Sequence, residues 1–72
     1  MRDFPSAVDV PQGSKNVGWV SVPREKTDEE TYLALRKAIC EKGGDALSQL
    51  HWVKEPGVYE PTALEANAWQ MP

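Results

Sequence analysis

Cys40 and His51 are the only cysteine and the only histidine of the chain, and a thiol beside an imidazole would make a nucleophile–base pair. That chemistry needs the thiol in an electropositive, part-exposed setting with the imidazole within hydrogen-bond reach. Cys40 falls late in a helical segment, where the negative end of the dipole opposes a thiolate. His51 alternates onto the other side of the strand that follows. The residues therefore predict an inert cysteine and a surface histidine, with a small-ligand-binding or catalytic domain using His51 and Cys40 as the alternative.

The acidic run Asp28-Glu29-Glu30 could be read as metal ligands or as an acid–base pair. Negative charge in the first turn of a helix explains it fully, whereas cation-binding loops space their oxygens around glycine turns. One cysteine and one histidine are too few soft ligands for a structural zinc site. Gly43-Gly44 ends a helix instead of opening one, so it cannot cradle a phosphate on a helix N-terminus. No catalytic residue, metal site or cofactor is predicted.

The elements that would position these groups follow from local pattern. Residues 1–16 are punctuated by Pro5, Pro11 and Gly13 and read as an extended N-terminal segment, with Ala7–Val10 alone able to add a strand at a sheet edge. Val17–Val22 is rich in β-branched and aromatic residues and reads as a strand ending at Pro23. Thr27 with Glu30 three positions on is a capping-box pattern, and Gly43 suits the left-handed position just past a helix. Between them Tyr32, Leu35, Ala38 and Ile39 share one arc, which predicts the buried face. Leu33 and Cys40 lie on the opposite arc among Glu29, Arg36 and Lys37. Two further strands, Ala46–Lys54 and Thr62–Met71, flank a connection whose Pro56-Gly57 is a type II turn signal.

The predicted fold class is α+β: one helix on a three-stranded βαββ sheet, with the N-terminal segment as a candidate extra edge strand. Residues 17–72 make up this single domain. A right-handed crossover puts the first and second strands parallel, with the third inserted antiparallel between them. Strand alternation sends Val20, Val22, Leu50, Trp52, Leu64, Ala66 and Ala68 beneath the helix. It sends Trp19, Trp69, His51 and Val53 to the far face, where the two indoles on neighbouring strands could touch. One helix covers one side of a sheet, so these four residues form the candidate interaction surface. Tryptophan is enriched in interface hot spots, and an uncovered apolar patch on a small domain marks a contact site. The competing expectation is that residues 1–16 fold back over the patch, with Phe4 or Val8 as the lid.

Composition narrows the partners. A chain of 72 residues buries only about 60% of its unfolded surface, and with no disulfide available it gains most from a partner or a second copy. The net charge of −3 argues against nucleic acid and anionic membranes. No apolar run nears the ~20 residues of a membrane span. A protein partner or a homo-oligomer is the remaining expectation. The start, Met1-Arg2-Asp3-Phe4-Pro5, lacks the apolar stretch of a signal peptide. The chain is thus expected to be cytoplasmic, or periplasmic and envelope-bound if a leader has been removed.

Gly18-Trp19-Val20-Ser21-Val22, a helix, Gly44-Asp45-Ala46-Leu47 opening the next strand, and a closing strand Ala63–Trp69 together resemble small bacterial envelope lipoprotein domains of the Rcs stress-sensor type. The likeness covers roughly residues 17–70 and rests on the helix–glycine–Asp–Ala–strand junction. This chain has a single cysteine where that sensor uses several paired ones. The resemblance implies a non-catalytic, exported, envelope-associated domain. Residues and resemblance together predict a non-enzymatic bacterial module acting through protein–protein contact or self-association.

Overall fold

The capping signals act where the sequence puts them, although of the capping-box pair only the bond to the Thr27 side chain forms, with none returning from Thr27 N–H to the Glu30 carboxylate. In the computed structural model, which describes residues 1–72, Thr27 Oγ1 accepts from the Glu30 backbone N–H at 3.1 Å and opens helix α1 (Asp28–Glu41). Thr31 is buried, and its Oγ1 donates to the Thr27 carbonyl oxygen at 2.8 Å while accepting from Glu25 N–H, so the entry turn is tied twice. At the other end Gly43 takes φ +91°, its N–H donates to the Cys40 carbonyl, and Gly44 N–H donates to the Ile39 carbonyl at 2.9 Å. Those are the two bonds of a Schellman motif. One residue later Asp45 N–H donates to the Trp69 carbonyl, so the helix end feeds straight into the sheet.

The sheet has four strands, β1 (Arg2–Phe4), β2 (Lys15–Pro23), β3 (Ala46–Val53) and β4 (Ala63–Gln70), in the order β1-β3-β4-β2. β4 runs antiparallel to both neighbours, which makes β2 and β3 parallel and places the last strand between them, as the βαββ order requires. An extra edge strand exists, but it is Arg2–Phe4, pairing parallel to Ala46–Ser48. Within Ala7–Val10, the expected strand, Ala7–Asp9 form a 3-10 turn capped by Ser6. Pro5 ends the short strand, and Ser6 offers its oxygen to Val8 N–H, a local bond that competes with extension. The 55–61 connection turns as predicted: Gly57 has φ +82° and Val58 N–H donates to the Glu55 carbonyl. Arg24 and Glu60 pair at 3.1 Å across its base.

The core is small. Leu35 and Ile39 from α1 are fully buried against Val20, Leu47, Leu64, Ala66 and Ala68, with Val17, Val22, Tyr32 and Ala38 at its margin. The alanines of β4 let the helix sit close over β2 and β4. Strand alternation run back from Leu50 and Trp52 puts Ala46 and Ser48 beneath the helix and Leu47 on the far face, and the structure reverses all three: Leu47 belongs to the core, while Ala46 and Ser48 turn away from the helix beside Trp69 and Asn67. A β-bulge is the cause: Gln49 and Leu50 stand together opposite Ala66, and Gln49 takes φ +56°. One extra residue reverses the alternation of everything before it. Trp52 does face the helix side, opposite Leu64, but α1 lies too far over to cover it. It remains 37% exposed, and Leu50 is exposed at the bulge.

Candidate functional site

The face of the sheet away from α1 is assembled from three strands by register. β4 supplies Glu65, Asn67 and Trp69. β2 sets Trp19 opposite Asn67 and Ser21 opposite Glu65, and β3 sets Ser48 opposite Asn67 and His51 opposite Glu65. Val53, half-buried, follows His51 on the same side opposite Ala63. All four predicted surface residues therefore share this face.

They are not equivalent. Trp69 is half-buried, and its Nε1–H donates to Ser48 Oγ at 2.9 Å. Ser48 in turn donates to Gln49 Oε1 at 3.2 Å, which ties the bulge into the same network. Trp69 is thus a structural residue. Replacing it with phenylalanine keeps an aromatic side chain but removes the donor together with the five-membered ring that carries it, and is expected to cost at least about 1 kcal/mol in chemical denaturation. A variant as stable as the parent would show that the bond contributes nothing.

Trp19 is different. It is 49% exposed, and its aromatic neighbour is His51, not Trp69: the two rings meet edge-on with centroids 6.0 Å apart. The bulge between Asn16 and Gly18 leaves Trp69 opposite Asn16, so the indoles are not a directly opposed pair. His51 is held on both sides, with Nε2 2.9 Å from Glu65 Oε1 and Nδ1 2.8 Å from the Gln49 carbonyl oxygen. Between Trp19 and Ser48, Asn67 is 6% exposed and its Oδ1 has no hydrogen-bond partner. An acceptor left so costs about 1–3 kcal/mol.

The N-terminal segment covers part of this face. Phe4 lies there beside Ser48, half-buried, with the Arg2 guanidinium 5.1 Å from its ring centre. The chain must then cross from the β1 edge to the β2 edge, and a right-handed crossover in that direction runs over the side opposite α1. The burial of Ala46, Ser48 and Asn67 away from the helix agrees with that path. Val8 is no lid, being 88% exposed. The cover stops short of Trp19 and His51.

Cys40 lies on the outer side of α1, in a groove of about 490 Å³ lined by Met1, Leu33, Arg36, Lys37 and Asp45. His51 is on the opposite face of the sheet, so the fold does not bring the thiol and imidazole together. No three His, Cys, Asp or Glu side chains converge to hold a metal ion, and no helix is long and apolar enough to cross a membrane. The exposure of Trp52 and Leu50 was not legible, because it depends on where α1 settles across the sheet. Neither a protein-family model, nor a curated protein, nor a solved structure matches this chain.

Proposed function

We propose that this protein is a non-enzymatic interaction module that binds a protein partner through the sheet face bearing Trp19 and His51. The observation that carries the reading is Trp19. A half-exposed indole stands on the part of the face that the N-terminal segment leaves open, braced edge-on by a histidine that Glu65 and the Gln49 carbonyl hold in place. A rigid, preoriented aromatic loses little conformational freedom on binding, which is what makes tryptophan effective in hot spots. Val53 and Trp69 border the patch.

The test is photo-cross-linking in the host cell from position 21, exposed on the same face beside Trp19, with the exposed position 41 of α1 on the other side of the sheet as control. Discrete adducts are expected from position 21 and none of the same mass from position 41. Trp19→Ala, which removes an exposed ring and should lower stability by under ~1 kcal/mol, is expected to abolish co-purification of the cross-linked partner. Matching patterns from the two positions would sink the reading. The likeness to Rcs-type lipoprotein domains extends the proposal to a bacterial envelope setting. A signal peptide ending in a lipobox cysteine, encoded upstream of Met1, would support that extension.

A further inference from the structure

The outer face of α1 carries a pattern the core does not use. Leu33 is 52% exposed at the centre of the stripe, with Cys40 two turns further on. Glu29 and Arg36 flank that line on one side, and Glu30 and Lys37 flank it on the other, as 3.6-residue periodicity dictates. The two ion pairs of the molecule are Arg24–Glu60 and His51–Glu65, so none of these four charges has an ionic partner within the chain. Arg36 rests on the Tyr32 ring, 5.7 Å from its centre, which keeps its guanidinium at the edge of the stripe.

We propose that a second copy of this chain docks here, α1 against α1 in antiparallel orientation, with Leu33 on the two-fold axis. The stripe is self-complementary under that operation and under few others. Glu29 lies about 6 Å before Leu33 along the helix and Arg36 about 4.5 Å after it, at about 1.5 Å rise per residue. In an antiparallel pair centred on Leu33, Glu29 therefore comes level with Arg36 of the other copy on one flank. Glu30 comes level with Lys37 of the other copy on the opposite flank. Symmetry repeats each pair, so the interface is isologous and closes as a dimer. Leu33 meets its own symmetry mate between the flanking charges, as at the apolar seam of an antiparallel coiled coil. The acidic half of the stripe then does two jobs: it complements the helix dipole within one copy and the basic half of the other. This contact lies on the opposite side of the molecule from Trp19, so its failure leaves the sheet-face reading untouched.

Charge reversal tests the pairing directly. Glu29→Lys/Glu30→Lys makes the stripe wholly basic, and Arg36→Glu/Lys37→Glu makes it wholly acidic. Sedimentation across a concentration series is expected to show dimer for the parent and monomer for each variant, with folding checked by circular dichroism. An equimolar mixture of the two variants should form a heterodimer at least tenfold tighter than either homodimer, because every flanking pair is then opposite in sign. A second arm detects weak association. Leu33→Cys combined with Cys40→Ser should oxidise readily to a disulfide-linked dimer, since position 33 faces itself across the axis. Cys40 alone should not, because its two copies would sit about 21 Å apart, beyond disulfide reach. A mixture no tighter than its components, or equal cross-linking from positions 33 and 40, would overturn the proposal.

Discussion

Leu35→Ala is expected to leave most of the protein unfolded at room temperature. Leu35 and Ile39 are the only fully buried large apolar side chains that α1 contributes, and they close a core of seven residues, two of them alanines. Truncating a buried leucine removes its transfer free energy and leaves a cavity, together ~2–5 kcal/mol. A 72-residue chain without a disulfide has little more than that to lose. Ala66 and Ala68, beneath the helix, cannot swell to fill the void. Leu33→Ala, two residues away on the outer face, should cost well under ~1 kcal/mol in the monomer. Thermal melts of the two variants, run at low concentration so that association does not contribute, make the comparison. If Leu33→Ala were the more damaging, the orientation of α1 would be wrong and with it the identity of both faces.

Gly44→Ala is expected to destabilise by about 1–3 kcal/mol, the range for forcing volume into a packed site. A Cβ on Gly44 would lie 2.7 Å from Ile39 Cγ2, 3.2 Å from the Ile39 carbonyl oxygen and 3.3 Å from the Trp69 carbonyl oxygen. The two oxygens are the acceptors for Gly44 N–H and Asp45 N–H, so the backbone cannot retreat without giving up the bonds that join α1 to the sheet. Ile39 is β-branched and fully buried, which leaves it no rotamer to move into. Its neighbour separates two causes. Gly43 has open space around its Cα but a φ of +91°, so Gly43→Asn should be tolerated better than Gly43→Ala. At Gly44 the strain is steric, and Asn should be worse than Ala. Urea denaturation of the four variants distinguishes these orders, and a Gly44→Ala protein as stable as the parent would mean that the helix–sheet junction is looser than its geometry.

Where a short stretch of chain holds both partners of an interaction, the residues alone determine the result. Thr27 and Glu30 set the start of α1, Gly43 its end, and Pro56-Gly57 the turn, because each depends on backbone groups within a few positions. The split of α1 into a core arc at Leu35 and Ile39 and an outer arc at Leu33 and Cys40 is legible for the same reason: helical period is rigid. The sheet order around β4 follows from the handedness of one crossover. Tertiary structure decided the rest. Arg2–Phe4 has no strand signature of its own and is a strand only because the Ala46–Ser48 edge is free to pair with it. The bulge at Gln49-Leu50 carries no glycine or asparagine to announce it. It exists because β3 must pair with β4 on both sides of a one-residue mismatch. Strand alternation is a parity, so that single residue was enough to move Leu47 into the core and Ser48 under Trp69. Trp19 and His51 kept their predicted face because they lie where no such shift intervenes, but which aromatic neighbour each would touch was settled by register, a property of paired strands and not of either strand alone.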